Sequence, residues 1–297
     1  MTTATVPVSV IIPTYRRPDL LLNALTHIEN CKPIAAEILV HIDANDDITE
    51  PAIASHFPRV RLVYSSERQG PGGGRNRLAA VATQPFLASF DDDSYPLDID
   101  YFERLHSLFM RRADADVIAS HIIEQEDPVI ESTPEVASGL GFVGCGVAYR
   151  REAYIRSGGY IPLVVAYGME EEDLALRLHA SGARVISTRY LRVFHDTNRN
   201  DRHREAPITA GLISNLALLP FLRYPILLWP YGFLQICNRV LWQIRKRRFA
   251  GLAQGVCRIP LHLWRHRHLR KALPISAVLS YLKLRGTPKQ WMPIDKT

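Results

Sequence analysis

Apolar and polar positions alternate along the first 200 residues in a regular order. Val8-Ser9-Val10-Ile11-Ile12 is a short β-rich run stopped by Pro13, the pattern of a buried strand. Pro18-Asp19 then opens an amphipathic helix to about Asn30, with Leu21, Leu22, Leu25 and Ile28 on one face. Strands are predicted at 37–43, 60–64 and 85–90, with helical stretches near 49–56 and 74–83. Strands and helices taking turns at this spacing predict βαβ units, hence an α/β domain whose mostly parallel sheet is flanked by helices.

Further along, 100–112 predicts a helix and 116–123 a strand. Residues 125–138 are polar with two prolines and read as a mobile loop. Residues 147–149 and 151–157 follow as strand and helix, 170–180 is a helix ended by Gly182, and 184–194 is a last strand delivering His195. Ligands of open α/β sheets bind outside the carboxyl ends of the strands, and Tyr15, Asp43 and Asp91–Asp93 all fall at such ends.

Charge divides the chain in two. Residues 206–297 hold 15 Lys and Arg against one acid, Asp295, whereas residues 1–205 hold 21 basic and 29 acidic residues. The predicted organisation is therefore one acidic α/β domain over 1–205, the part that carries the candidate chemistry, and a helical, basic and apolar extension over 206–297. Within that extension, Pro220, Arg223, Pro225 and Pro230 interrupt the apolar stretch, so neither side of Arg223 offers a clean spanning segment. Arg245-Lys246-Arg247-Arg248 and the Trp264–Lys271 cluster predict contact with an anionic membrane surface. A layer packed on the α/β domain or a homo-oligomer contact competes with that reading. Nucleic acid is not expected, because no recognition motif accompanies the charge. Four scattered cysteines fit a reducing compartment, and Met1–Thr5 shows no secretory signal. The expected location is cytoplasmic, peripheral at the inner face of the membrane.

The candidate chemistry begins at Asp91-Asp92-Asp93, where three carboxylates end an apolar strand. Like charges this close repel unless something positive lies between them, and a hard divalent cation, Mg²⁺ or Mn²⁺, does that well. The competing reading is a solvated turn with Asp93 or Ser94 capping a following helix. Gly70-Pro71-Gly72-Gly73-Gly74-Arg75-Asn76 fails both standard nucleotide fingerprints, yet a glycine run opening a helix can bring backbone and Arg75 up to a diphosphate. Glu170 to Asp173 supplies four more acids, which suit a helix N-terminus as well as proton transfer.

Taken in order, Val8 to Arg17, Glu37 to Asp43, Gly70 to Asn76, Phe90 to Asp93, Gly144-Cys145-Gly146 with Arg150 to Ala153, Gly158-Gly159-Tyr160, Glu170 to Leu178 and His195 resemble the family 2 glycosyltransferases, inverting enzymes of the GT-A fold. The resemblance covers roughly residues 6–197 and implies a GT-A nucleotide-diphospho-sugar transferase fold. It implies a metal-dependent enzyme, hexosyltransferase in type, moving a sugar from a nucleotide-sugar donor to a hydroxyl of a glycan or polyprenyl-linked acceptor in cell-surface polysaccharide synthesis. Tyr15 and Asp43 would hold base and ribose, with Arg75 near base or diphosphate. Pro13, Arg17, Asp91, Asp92 and Gly144 would complete the substrate contacts. Asp91 and Asp93 are the outer members of a DXD motif, and with His195 they are the expected metal ligands. Glu171 is the expected catalytic base beside Glu170, with Asp173 as a rival. Two positions depart from the family pattern: Ile42 replaces the first acid of an Asp-Asp pair, and Glu171 replaces an Asp. A non-catalytic nucleotide-sugar-binding or membrane-adaptor protein of the same fold is the alternative.

Overall fold

A computed structural model describes residues 4–165, 168–197 and 206–294. The chain begins with β1 (Thr5–Thr14), α1 (Pro18–Asn30), β2 (Ile34–Ile42), α2 (Thr49–Ile53), β3 (Val60–Tyr64), α3 (Gly70–Val81) and β4 (Phe86–Ser89). Pro18 starts α1 with a backbone angle already suited to a helix, and Leu21, Ala24, Leu25 and Ile28 form its buried face. There follow β5 (Ser94–Pro96), α4 (Tyr101–Arg111), β6 (Val117–Glu124), β7 (Glu135–Gly139), β8 (Val147–Arg150), α5 (Arg151–Ser157), α6 (Glu170–Ala180) and β9 (Val185–His195).

The strands form one sheet in the order β10-β7-β9-β6-β8-β4-β1-β2-β3, with β5 paired to β9 and β10 being Met292–Pro293. Pairing is parallel from β4 through β1 and β2 to β3. The wholly parallel run then ends, because β8 enters between β4 and β6 and runs against both. Among the described strands β5, β7 and β8 are reversed, and the others share one direction. An apolar run looks the same read either way, which is why the alternation of elements could not announce these reversals. The strand β7 also corrects the reading of 125–138 as a loop throughout, since Val136 to Gly139 pair with Thr188 to Val185.

The shared direction sets the site. Thr14 on β1, Asp43 after β2, Asp91 after β4, Glu124 on β6 and His195 on β9 all lie at carboxyl ends on one edge. Beneath that edge, Val8, Val10 and Ile12 of β1 are buried with Leu25 of α1 and Phe102, Leu105 and Phe109 of α4. Burial of this kind contributes about 1.5–3 kcal/mol for each large side chain, enough to hold the edge residues on a fixed frame.

By packing, the chain forms two compact units. The sheet unit comprises Met1–Val164, Gly182–Thr197 and Pro288–Thr297, and the helical unit Val165–Ser181 and Asn198–Thr287. The boundary expected at residue 205 lies outside the described residues. Two segments fall on the other side of such a cut: α6 belongs with the C-terminal helices, and β10 returns to the sheet.

The helical unit contains α6 together with α7 (Ala206–Arg223), α8 (Trp229–Arg245), α9 (Leu252–His266) and α10 (Ile275–Arg285). Pro220 lies inside α7 without ending it, so α7 does reach 18 residues of spanning length and hydropathy, although 67% of it is buried. It is the core of this unit. Gly255 lets α9 approach α7, since a Cβ there would come within 2.9 Å of the Ala210 carbonyl. His179 of α6 reaches Ser280 of α10 at 3.2 Å, joining the first and last helices.

Candidate active site

Pairing between strands distant in sequence brings Asp93 up to His195. After β4 the chain turns through Asp91–Asp93 and enters β5, so Ser94 begins a strand and does not cap a helix. Ser94 aligns with His195 in the antiparallel β5–β9 pair, and the Asp196 N–H donates to the Asp93 carbonyl at 2.8 Å. This brings His195 Nε2 to 3.3 Å from Asp93 Oδ1, with both side chains buried. The turn itself is pinned by Ser94, whose hydroxyl accepts the Asp91 N–H at 2.8 Å and donates to the Cys145 carbonyl at 3.0 Å.

The repulsion expected among the three acids is answered by Arg17. One guanidinium nitrogen lies 2.6 Å from Asp92 Oδ1 and the other 2.7 Å from Asp93 Oδ2, and the Arg17 side chain is 44% exposed. One positive charge shared by two carboxylates cannot satisfy both. Burial pushes Asp92 up to about 7, against the pull of Arg17 and of the Thr14 hydroxyl that donates to it at 2.8 Å. Burial also opposes ionisation of Asp93, but the hydrogen bond with His195 and the charge of Arg17 outweigh it and hold this carboxyl below the usual range. The same cluster therefore pushes its two buried carboxyls in opposite directions, Asp92 toward the protonated form and Asp93 toward the ionised one.

Arg75 is engaged differently from the expectation. It is 2% exposed, donates to the Ser89 hydroxyl at 2.8 Å and pairs with Asp91. Ser89 in turn donates to the Gly144 carbonyl at 2.8 Å, and a Cβ on Gly144 would come within 3.0 Å of the Arg75 guanidinium. Arg75 and Gly144 thus brace Asp91 from inside the protein. The glycine run at the start of α3 also has a packing reason. Gly74 lies against His41 and Pro13, and Gly70, at φ +67°, would meet the Leu163 carbonyl if it carried a Cβ.

Asp43 is 4% exposed and accepts five donors: the N–H groups of Ala44, Gln69 and Gly70, the Ser65 hydroxyl and Arg68 Nε. Burial raises its proton affinity, yet the backbone N–H groups of Gln69, Gly70 and Ala44 hold it below the usual carboxylate range. A carboxylate has about four lone-pair sites, so a nucleotide would reach Asp43 only by displacing one of these donors. Arg68, which the sequence reading did not single out, also covers the Tyr15 ring at 3.5 Å. Tyr15, Arg68 and Asp43 form one connected wall.

The acids of α6 belong to the helical unit, and the structure separates their roles. Asp173 is fully buried, with Oδ2 2.7 Å from Arg177 and Oδ1 paired to Arg223 of α7. Both of its oxygens are engaged by arginine and its side chain is out of solvent, an environment that suits a structural ion pair. Glu172 pairs with Arg285 at 2.5 Å. Glu170 is 3% exposed, and Glu171 is half-buried on the first turn. Arg223, read from sequence as a break in an apolar run, is the buried counter-charge of Asp173.

In the sheet unit, Asp91, Cys145 and His195 each offer a ligand atom within 4.8 Å of the other two. Together with Asp93 against His195, this is a mixed carboxylate and imidazole set that fits a divalent cation, with Cys145 as a neighbour that the sequence reading missed. Carboxylates suit Mg²⁺ and Mn²⁺, and the imidazole favours the transition metal of the two.

Solved structures share this fold. Mannosyltransferase PcManGT from Pyrobaculum calidifontis, in complex with GDP-Man and Mn²⁺, aligns at TM-score 0.56 and 18% identity, covering 96% of this chain and 83% of its own. TarS (residues 1–349) of S. aureus, in complex with UDP-GlcNAc, aligns at 0.53 and 14% identity over 70% of this chain and 66% of that one. Succinoglycan biosynthesis protein ExoO of Rhizobium meliloti (strain 1021) is 29% identical over 109 residues, which are 36% of this chain and only 30% of that relative's length. Residues 9–158 match the family described as Glycosyl transferase family 2, more than half of the chain, and the protein belongs to that family.

Proposed function

We propose that this protein is a metal-dependent, inverting glycosyltransferase that moves a sugar, of hexosyl type, from a nucleoside-diphosphate sugar to a hydroxyl of a glycan or lipid-linked acceptor. The observation that carries the reading is the juxtaposition of Asp93, His195 and Arg17 on the edge where the parallel strands end. The ExoO similarity supports polysaccharide synthesis as the setting. The nucleotide-bound and Mn²⁺-bound relatives support a divalent cation with the donor.

Asp91, Asp93 and His195 would hold the cation, and a bound Mg²⁺ or Mn²⁺ neutralises charge on a departing diphosphate. Arg75 fixes the orientation of Asp91 from below. Arg17, on the exposed side of the cluster, offers a partly exposed guanidinium to phosphate oxygens. Tyr15 and Arg68 offer a flat surface for the base, with Asp43 fixing the loop that carries Arg68. In the reaction, the acceptor oxygen bonds to the anomeric carbon as the bond to the diphosphate breaks on the opposite face. The hydroxyl proton passes to a carboxylate, a role for Glu171, whose contribution as a base would be about 10²–10⁴-fold. No observation favours the non-catalytic alternative.

The test is a turnover screen of UDP- and GDP-sugars with a glycan acceptor, run with Mn²⁺, with Mg²⁺ and with EDTA. Asp93→Ala should abolish transfer and weaken Mn²⁺-dependent nucleotide binding with the circular dichroism unchanged. Full turnover in EDTA, or normal turnover by Asp93→Ala, refutes the assignment.

A further inference from the structure

We infer that α8, α9 and the segment joining them form a docking face for an anionic lipid bilayer, with apolar side chains entering the interface and arginines meeting the headgroups. The inference concerns the helical unit alone and stands whether or not the chemistry proposed for the sheet unit is correct.

Much of the apolar burial inside this unit is supplied by α7, and many large apolar residues of α8, α9 and the segments beside them are left exposed. Leu227 is 77% exposed, Phe233 66%, Phe249 62% and Trp264 60%. They are not scattered. On α8, Leu234, Leu241 and Ile244 are exposed at spacings of seven and three, which places them on one stripe. On α9, Val256, Pro260 and Trp264 are exposed at successive intervals of four, the same arrangement. Isolated exposed apolar residues need no explanation, but stripes on consecutive helices mark an interaction surface.

The charge around the stripes selects the partner. Arg245-Lys246-Arg247-Arg248 lies directly between the two helices. Arg239 and Arg248 stack on Trp242 at 4.6 and 5.2 Å, and Arg267 on Trp264 at 4.3 Å. Such pairs give each ring an apolar body and a charged rim, the composition of a water–lipid boundary. Between residues 206 and 293 there is no acid at all. A second copy brought against this face would oppose arginine to arginine, which disfavours self-association. An anionic leaflet supplies both the missing negative charge and the apolar layer.

The experiment is vesicle flotation of the full chain, with phosphatidylcholine alone and with an added third of phosphatidylglycerol, at low and high salt. The chain should float with the anionic vesicles, less so at high salt, and only weakly with the neutral ones. Replacing Arg245, Lys246, Arg247 and Arg248 by Gln should lower partitioning on the order of 10³-fold, from the attraction expected per basic residue. The exposed-site variant Phe233→Ser with Trp264→Ser should lower it at least ~10-fold, with an unchanged melting temperature showing that the fold persists. Equal flotation with both vesicle types, or wild-type binding by both variants, would overturn the inference. So would a stable dimer in sedimentation that Phe233→Ser dissolves, since the face would then be covered by a second copy.

Discussion

Asp92-Asp93 in one acidic run and Asp173 in the other are both answered by arginine, and they differ in where that arginine sits. Arg17 lies half out in solvent across Asp92 and Asp93, whereas Arg223 is buried with Asp173, the two side chains 6% and 0% exposed. A solvated partner can be exchanged for another cation at small cost. A buried pair cannot, because breaking it strands an uncompensated charge. Acid runs that look equivalent in sequence thus contain one exchangeable site and one structural clamp, with Glu171 beside the clamp rather than in it.

Breaking the clamp should produce the largest change. Asp173→Ala should cost about 3–5 kcal/mol in urea unfolding, and Asp173→Leu combined with Arg223→Met should recover most of it. If Asp173→Ala left stability intact and removed turnover instead, Asp173 would be chemical after all. Next, Glu171→Gln keeps shape but cannot accept a proton. Turnover should fall about 10²-fold, roughly 2.7 kcal/mol of barrier, with nucleotide affinity little changed. Loss of donor affinity in place of turnover would move Glu171 from proton transfer to binding.

The smallest effect concerns crowding of the opposite sign. Burial, then the charges of His266, Arg265 and Arg258, lower His262 to about 4, while its Nε2 lies 2.9 Å from Asn215 Oδ1. An unfolded chain takes up that proton near pH 6.5, whereas the folded one resists until about 4. The helical unit should therefore lose stability as pH falls from about 6.5 to about 4, and the loss should level off below that. Melting temperatures across this range should show the slope, and His262→Gln should flatten it. An equal slope in the variant would assign the acid sensitivity elsewhere.

Local pattern made much of the fold legible. The spacing of Leu21, Leu25 and Ile28 located α1, and Val60–Tyr64 was visible as a strand without its partners. By contrast β7, made of Glu, Val, Ala, Ser and Gly, carries little strand preference and is held by its place beside β9. The site followed the same division. The acids at strand ends were readable, but their partners were not, because Arg17 lies 75 residues from Asp92 and Arg223 lies 50 residues from Asp173. One signal was available: an arginine inside an apolar helix must find a counter-charge, so Arg223 pointed to a buried acid. No comparable local sign shows that Asp43 would accept five donors.

The late strand β10 has a consequence for biogenesis. Met292–Pro293 covers the outer side of β7, with the Ile294 N–H on the Pro134 carbonyl at 3.0 Å and Lys289 on Ser187 at 2.8 Å. On a ribosome, every other strand of the sheet is synthesised before α7 to α10, so the growing chain carries an unfinished β7 edge until Met292 and Pro293 emerge. Unpaired edges recruit other chains. A fragment cut after the final long strand would keep that edge open permanently, and its handling calls for low concentration or for the missing strand supplied as a peptide.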